Sequence, residues 1–502
     1  MLLDNDFTSV TWVIFISTGL ILLISRFVSP QIDPFEPPVL KPRVPLIGHI
    51  ISTFREGTSF YARLFKEHRL PICTLPMLNG KIYVINSPDL IQAALRNNDI
   101  SFDPFLIEFS KAMWGLSKNA VGLISNDDYL KEGLSLIHSS LTGEPLYELN
   151  ISALTCLMSY LNRIQVLRKP DVFDWLRDIL TDASATALFG EKNTLTVEHS
   201  HLLWTFDEQA VLIAIGVPSL ITRKALNARR EVNRVLLPYY QNGGIYGEGV
   251  SALIRKRAIF LRSTGLTADD LSQIEMMLPW VGVTNTAPTL FWVFMHVFTN
   301  TSYLSRVRAE VEAITVITTG AEGRTATFDI KDLETCCPFL NACYQECLRF
   351  YLHSVGNRRV MKDTMIQDSE GRKYLLQKGW NIQWAPSVTH FIDEIWGSDA
   401  ASFKPERFLD VTVQEEKRRR GALLSFGGGK NLCPGRKIAF AEIVGFVGVV
   451  SLTFEVEGLS LPNSSDPRVG EGPRKPDWGS MDSGFRMTRR EGWEDVTWVF
   501  KE

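Results

Sequence analysis

Hydrophobic residues recur with the 3.6-residue period of an amphipathic helix through most of the central part of the chain. The clearest helical segments are residues 174–190, 224–240, 301–314 and 340–352. Shorter runs rich in β-branched and aromatic residues predict a smaller number of strands. These runs lie at 81–87, 373–377, 381–385 and 495–501. The pattern therefore predicts a mainly α fold with a minor β component.

The longest apolar stretch lies at the N-terminus, where residues 7–25 contain no charged side chain. As a helix, this stretch would be about 28 Å long, which is close to the hydrocarbon thickness of a bilayer. Two acidic residues but no basic ones precede it, and no small-x-small cleavage pattern follows, so a retained anchor is favoured over a cleaved signal peptide. Basic residues from Arg26 to Arg43 follow, and the positive-inside rule places the rest of the chain in the cytosol.

Two further segments bear on how the rest of the chain meets a membrane. Six prolines between residues 29 and 50 exclude helix and predict a stiff, extended hinge. We therefore divide the chain into an anchor at 1–28, the hinge at 29–50 and one large body at 51–502. Residues 208–221, EQAVLIAIGVPSLI, are unusually apolar for a surface connection. They fit either a buried core helix or a patch that dips into the membrane beside a substrate entrance.

Composition narrows the class of protein. A chain of 502 residues with 45% hydrophobic residues can bury a large core. The formal net charge of −3 argues against nucleic acid as the main partner. The seven cysteines are an odd number scattered over a long chain, which argues against a disulfide framework and favours a reducing compartment.

One cysteine lies in a loop of unusual composition, FGGGKNLCPGR at 426–436, where glycines surround Cys433. A phosphate-binding loop would need Ser or Thr after Lys430, but Asn431 follows. A zinc site would need Cys or His ligands at short spacing, and none is near in sequence. A nucleophilic cysteine would want a histidine base, which one of the eight histidines could supply, although nothing indicates which. An inert buried cysteine would leave the glycines unexplained.

A thiolate that ligates haem iron accounts for both the cysteine and the glycines. The flat macrocycle must come close to the sulfur, so bulky side chains are excluded nearby. Glycines also allow positive φ angles that direct backbone N–H groups at the sulfur. Such donors stabilise the thiolate and tune the redox potential of the iron.

The loop resembles the haem-binding signature of the cytochromes P450, F-x-x-G-x-x-x-C-x-G. It matches at Phe426, Gly429, Cys433 and Gly435. The resemblance implies the P450 fold, which is a single large haem-binding domain over residues 51–502 behind an N-terminal transmembrane helix. It also implies haem b as the cofactor and Cys433 as the axial ligand of its iron.

Further motifs follow the family's order along the chain. Glu346 and Arg349 form the family's E-x-x-R, and Arg407 lies in its P-E-R-F element. The resemblance implies that these three hold the fold around the haem, although a Glu–Arg pair at this spacing would otherwise be a solvated contact worth a few tenths of a kcal/mol. Arg358 stands where the family keeps an arginine for a haem propionate.

Two departures from the family concern the haem propionates. The family's W-x-x-x-R contact has no match, and residues 127–138 are the expected region. Asn431 stands where the family usually has a basic residue. We therefore expect Arg358 to carry more of the haem anchoring than usual, with Lys430 or Arg436 as helpers.

Residues 276–292 are predicted to form the helix opposite the cysteine. Pro288 lacks an N–H and clashes with the carbonyl of Thr284, and Gly282 lies in the same turn. The helix should therefore open at 282–286, which exposes carbonyls and admits water for oxygen binding and proton delivery.

In this opening the family usually places an acid followed by an alcohol. Thr284 and Asn285 occupy those positions in one register, and Asn285 and Thr286 in the other, so all three are catalytic candidates. Neither register supplies a carboxylate. The pattern N-T-x-P-x-x-F-W resembles the branch that contains sterol and bile-acid hydroxylases and prostacyclin synthase.

These features imply a membrane-anchored haem-thiolate monooxygenase that oxidises a bulky lipophilic small molecule, sterol- or terpenoid-like and of secondary metabolism, with O2. A basic run at 415–420 and nearby basic residues could dock NADPH–cytochrome P450 reductase. The expected location is the endoplasmic reticulum membrane, crossed once, with the catalytic domain in the cytosol. The missing carboxylate leaves an alternative open, a reductase-independent isomerase or dehydratase of an oxygenated lipid.

Overall fold

The computed structural model describes residues 32–42, 47–78, 80–321, 323–477 and 484–500. Helices dominate these residues. The α-helices are Ile50–Glu56, Ser59–His68, Pro88–Arg96, Asp103–Met113, Lys118–Ile124, Asp127–Ser140, Gly143–Leu161, Val172–Phe189, Ser200–Asp207, Ala210–Ala214, Arg223–Gln241, Ala252–Ser263, Ala268–Glu275, Met277–Val283, Thr286–Phe298, Thr301–Ile314, Ile330–Cys336, Pro338–Tyr351, Pro386–Thr389, Asp393–Trp396, Val413–Ala422 and Arg436–Thr453. Short 3-10 helices lie at Val197–His199, Gly244–Tyr246, Pro405–Phe408 and Gly429–Asn431.

The strands form small sheets at the edges of the helical body. They are β1 Ile72–Met77, β2 Gly80–Ile85, β3 Ile100–Ser101, β4 Val166–Lys169, β5 Val316–Gly320, β6 Gly323–Thr327, β7 Gly356–Val360, β8 Thr364–Gln367, β9 Lys373–Leu376, β10 Asn381–Trp384, β11 Phe454–Glu457, β12 Phe485–Arg489 and β13 Val496–Trp498. One sheet has the order β1-β2-β10-β7-β3, and two three-stranded sheets have the orders β11-β12-β4 and β13-β6-β5. The prediction of a mainly α fold with a minor β component is confirmed.

The core lies between five helices. It is built on Gly143–Leu161, Val172–Phe189, Thr286–Phe298, Pro338–Tyr351 and Arg436–Thr453. Every residue of Thr286–Phe298 is buried, so this helix runs through the middle of the body. Because a helix that is apolar on all sides must be covered on all sides, its sequence alone requires this central place.

The hinge region begins outside the described residues but is well fixed where the structure describes it. Leu40 N–H donates to the Thr74 carbonyl at 3.0 Å, and Thr74 N–H donates to the Pro38 carbonyl at 2.8 Å. Glu36 is buried and lies 2.6 Å from the ammonium of Lys81 on β2. Residues 38–40 are extended and lie along the edge of the first sheet, whereas a turn at 34–36 precedes them.

The predicted membrane anchor lies outside the described residues. In the part of the chain that the structure describes, no helix is both long and apolar enough to cross a bilayer.

The apolar segment at 208–221 divides into two parts. Ala210–Ala214 is a short helix whose Ala210 and Ile213 are buried. Beyond it the chain is exposed, with 83% of Leu220 and 61% of Ile221 accessible to solvent. A buried core helix therefore describes only the first part of this segment.

Candidate active site

The loop of Cys433 is held in place by its own backbone. Cys433 N–H donates to the Phe426 carbonyl at 3.0 Å, which closes the loop just before helix Arg436–Thr453 begins. Gly427 and Gly429 have φ angles of 72° and 63°. Only glycine takes such angles without a steric cost, so two of the three consecutive glycines are required by the turn itself.

The glycines also have a second cause that the sequence did not indicate. A Cβ atom on Gly428 would lie 2.6 Å from a methyl carbon of Leu95, and one on Gly429 would lie 2.8 Å from the Leu95 carbonyl oxygen. Helix Pro88–Arg96 therefore packs directly on the glycine run. The glycines serve this close approach as well as the surroundings of the sulfur.

The Cys433 thiol is partly exposed, and its surroundings pull its pKa in two directions. Burial raises the pKa of the thiol, and this effect is the larger. The backbone N–H groups of Gly435 and Arg436, together with the charge of Arg436, lower the pKa of the thiol and so favour the thiolate. A cation bound to the sulfur would complete the deprotonation that these donors begin.

A cavity of about 380 Å³ opens above the thiol. Most of its lining is aliphatic, for example Leu141, Leu188 and Leu348. Phe426 and Gly435 from the cysteine loop belong to the lining, together with Cys433. The cavity therefore offers a sulfur ligand at one wall of an otherwise apolar space.

The helix on the opposite side of this cavity is open where the sequence predicts. One helical segment ends at Val283 and the next begins at Thr286. The Thr286 hydroxyl donates to the Gly282 carbonyl at 2.6 Å. Asn285 and Thr286 both line the cavity, whereas Thr284 is buried and lies outside the lining. The structure thus brings two of the three candidates to the site, which favours the Asn285–Thr286 register.

Glu346 and Arg349 of the E-x-x-R motif form one buried ion-pair network with Arg407 of the P-E-R-F element. Glu346 receives two hydrogen bonds from Arg349, both at 2.7 Å, and one from Arg407 at 3.0 Å. Glu346 and Arg349 are fully buried and Arg407 is 7% exposed. Arg349 also donates to the backbone carbonyls of His390 and Ala400. This contact is therefore unlike the solvated surface pair that spacing alone would suggest.

Arg358 is a buried cation that forms no ion pair with any acidic side chain the structure describes. It is 6% exposed and donates only to the carbonyls of Asn357 and Gly428. Its guanidinium lies over the rings of Phe102 and Trp384. No carboxylate of the described residues lies within ion-pair distance, and burial lowers the pKa of Arg358 to about 10. A buried charge of this kind requires an anion to offset its desolvation, and a haem propionate is one.

Comparison with known proteins decides the family. A family model described as Cytochrome P450 matches residues 248–475. A cytochrome P450 monooxygenase of Gibberella zeae is 35% identical over 96% of this chain and 94% of the relative. The chain belongs to the cytochrome P450 family. A 7-alpha-hydroxycholest-4-en-3-one 12-alpha-hydroxylase of Homo sapiens is 23% identical over 91% of this P450 and 93% of that enzyme.

The fold agrees with this assignment. A retinoic acid-bound cyanobacterial CYP120A1 superimposes with a TM-score of 0.69 over 91% of this chain and 99% of that one, at 17% identity. This P450 is therefore a haem-thiolate monooxygenase with haem b as its cofactor. The thiol at the cavity wall and the unpaired cation of Arg358 fit such a group.

The two helper residues expected for the propionates, Lys430 and Arg436, differ in their position relative to a second, wider cleft of this P450. Its volume is about 890 Å³, and Lys430 and Asn431 line it. Lys131 and His138 line it from helix Asp127–Ser140, the region in which the W-x-x-x-R contact was expected. Arg436 instead donates to the carbonyl of Cys433 at 3.0 Å. Lys430 thus meets the cleft, whereas Arg436 braces the cysteine loop.

A carboxyl group that sequence reasoning missed lines the haem cavity. Glu442 is 2% exposed and accepts a hydrogen bond of 2.6 Å from the Ser184 hydroxyl. Burial raises the pKa of Glu442 to about 7, and the Ser184 bond opposes the shift only in part. The sequence itself indicates a buried carboxyl here, because Glu442 is the single acidic residue in the apolar run IAFAEIVGFVGVV. A carboxyl surrounded by apolar residues on every helical face has to be buried.

Proposed function

We propose that this P450 hydroxylates a bulky, neutral, lipophilic small molecule of sterol or terpenoid size, in secondary metabolism. The observation that supports this proposal is the cavity over Cys433, whose walls are mostly aliphatic and contain a few hydroxyl, amide and carboxyl groups. An apolar cavity of this kind selects by shape and favours apolar ligands over charged ones. The printed name of the human relative, a hydroxylase of a sterol ketone, supports a substrate of this class.

Cys433 is the proposed axial ligand, and Arg358 is the proposed partner of a propionate. Haem b supplies the iron at which O2 is activated for insertion of one oxygen atom into a C–H bond. Thr286 and Asn285 supply the polar groups of the opposite wall. The Thr286 hydroxyl donates its proton to the Gly282 carbonyl, so its oxygen is left to accept a hydrogen bond from a proton donor in the cavity. Asn285 can donate or accept a hydrogen bond but cannot titrate near neutral pH.

The electron donor is the proposed NADPH–cytochrome P450 reductase. Lys417 and Arg418 are exposed on helix Val413–Ala422, and Lys430 and Lys437 are exposed beside the cysteine. These cations lie on segments that adjoin the sulfur in sequence. A basic surface at that position would steer an acidic electron-transfer protein to the side of the haem that carries the thiolate.

We further propose that the protein resides in the endoplasmic reticulum membrane, with residues 7–25 as a single span and the catalytic domain in the cytosol. The exposed side chains of Ile215, Leu220 and Ile221 support contact between the body and a lipid surface. Together with the hinge, such a contact would set the orientation of the catalytic domain against the membrane.

One experiment tests the substrate class and the electron donor together. The purified holoprotein is screened for absorption shifts with sterols, terpenoids and, as charged controls, bile acids of equal size. Ligands that shift the spectrum are then incubated with reductase, NADPH and labelled dioxygen. A product that carries one labelled oxygen and forms only with reductase supports the proposal. A labelled product that forms equally without reductase removes the proposed electron donor, and binding of the charged controls alone removes the neutral substrate class.

A further inference from the structure

A third cavity, of about 190 Å³, adjoins both the haem cavity and the wider cleft, and we name it the side chamber. Its walls come from helices Asp103–Met113, Asp127–Ser140 and Ala252–Ser263. Ile137 and Met277 line both the haem cavity and the side chamber. The two spaces are therefore separated by no more than shared side chains, and one elongated molecule could reach both.

The side chamber is suited to an uncharged occupant. Most of its lining is apolar and includes Leu130, Leu134 and Leu261. The one charged residue in the lining is Arg257, and its guanidinium donates to Glu275 at 2.8 and 3.0 Å. Because this buried pair is neutral as a whole, the wall offers no free charge for an ionic ligand.

Two side chains of the lining, Tyr129 and Trp114, each carry a buried polar atom with no hydrogen-bond partner among the described residues. Burial raises the pKa of Tyr129 to about 12, so the hydroxyl keeps its proton at neutral pH. A buried hydroxyl without a hydrogen-bond partner is destabilising, and a ligand oxygen that accepts from it would remove that cost.

A glycine keeps the chamber open. Gly133 lies inside helix Asp127–Ser140, where glycine stabilises the helix less than alanine would. A Cβ atom at this position would find Phe260 at 4.0 Å and no nearer atom outside its own helix turn. Packing therefore does not require the glycine, and what its missing side chain provides is space in the chamber.

We propose that the side chamber binds one end of an extended lipophilic ligand whose other end lies over Cys433, and that the Tyr129 hydroxyl hydrogen-bonds an oxygen atom on the end in the chamber. The inference rests on the proposed function in one respect, since the other end of the ligand must lie in the haem cavity. It adds to that function a substrate that is long, neutral and oxygenated at its far end.

Imidazoles with an N-alkyl tail are suitable probes, because the ring binds haem iron and shifts its absorption band while the tail extends into the protein. Butyl, octyl and dodecyl tails are compared, each with a methyl end and with a hydroxyl end, on the wild-type holoprotein. We expect affinity to rise with tail length until the tail reaches the chamber. At that length, the hydroxyl-ended probe should bind at least about threefold more tightly than the cost of desolvating its hydroxyl group would predict.

Gly133→Leu fills the chamber and removes no helix-stabilising contact. The variant should bind the probes that reach the chamber about tenfold or more weakly and the butyl probe as the wild type does. Gly122→Leu is the matched control, since Gly122 is an exposed helical glycine with no atom within 4 Å of its Cβ position and lies outside both linings. Tyr129→Phe should weaken the hydroxyl-ended probe about three- to tenfold and leave the methyl-ended probe unchanged.

The outcomes separate the two proposals. If no imidazole shifts the band of the wild type, the haem-thiolate site itself is wrong and the inference falls with it. If imidazoles bind but Gly133→Leu matches Gly122→Leu for every tail, the chamber is overturned and the haem site stands. If Tyr129→Phe weakens both long probes equally, the oxygen assignment is overturned.

Discussion

The hydroxyl of Thr286 donates a hydrogen bond of 2.6 Å to the carbonyl of Gly282, across the point where the central helix is interrupted. This carbonyl would otherwise accept from the backbone N–H of Thr286 in a continuous helix. The side chain therefore takes over a backbone contact and holds the opening in shape. As both residues line the cavity, the bond also fixes the direction of the hydroxyl there.

Thr286→Ala should uncouple electron use from product formation. Loss of the hydroxyl removes the hydrogen-bond acceptor that would hold a proton donor at the cavity wall, so product per NADPH consumed should fall about tenfold or more while hydrogen peroxide rises. Both quantities are measured in a reconstituted reaction. Thr284→Ala is the control, because Thr284 is buried outside the cavity lining and its loss should leave the ratio within about twofold. If Thr284→Ala lowers the product per NADPH and Thr286→Ala does not, the Thr284–Asn285 register is correct instead.

Glu346→Gln should destabilise the protein strongly. Glu346 is the shared acceptor of two buried arginines, and removal of one charge leaves the others without compensation, at a cost of about 3–5 kcal/mol. Chemical denaturation of the holoprotein gives the free energy of unfolding. Glu416→Gln breaks the exposed pair with Arg420 and should cost less than about 1 kcal/mol. Equal costs for the two variants would refute a central role for the buried network.

Glu442→Gln should change how stability depends on pH. Burial raises the pKa of Glu442 from 4.5 in its ordinary state to about 7, so the native state favours the neutral carboxyl. That contribution is fully present below about pH 4.5 and is lost as the pH rises through about 7. Glutamine does not titrate, so the free energy of unfolding of the variant, relative to that of the wild type, should rise by about 3 kcal/mol as the pH increases across this window. Melting temperatures at acidic and mildly alkaline pH measure the gain, and a constant difference would show that Glu442 does not titrate there.

Arg358→Ala should release haem faster than Asn431→Ala. Arg358 is buried without a carboxylate partner, whereas Asn431 lies in an open cleft and carries no charge. Loss of a buried, hydrogen-bonded charge pair costs several kcal/mol, so we expect about a tenfold or larger difference in the rate of haem transfer to an apo-globin. Melting temperatures of the two variants control for general destabilisation. Equal transfer rates would contradict the special role of Arg358.

The sequence by itself determined the features that depend on neighbours along the chain. The periodic apolar positions predict the helices, and segment 301–314 is found as the helix Thr301–Ile314. Pro288 and Gly282 predict the interrupted helix, because a missing N–H and a steric clash act within one turn. The glycine-rich loop around Cys433 indicates the cofactor, because the glycines allow the positive φ angles that the backbone needs beside the sulfur.

Only the tertiary structure decided the features that depend on contacts between distant residues. The rotation of the interrupted helix directs Thr286 rather than Thr284 into the cavity. Leu95, more than three hundred residues from the glycine run, explains Gly428 through a contact that no local pattern encodes. Burial of Glu442 raises its pKa, and the packing of several helices leaves the side chamber open. Local sterics follow from adjacent residues, whereas desolvation, close approach and empty space exist only once separate segments are packed together.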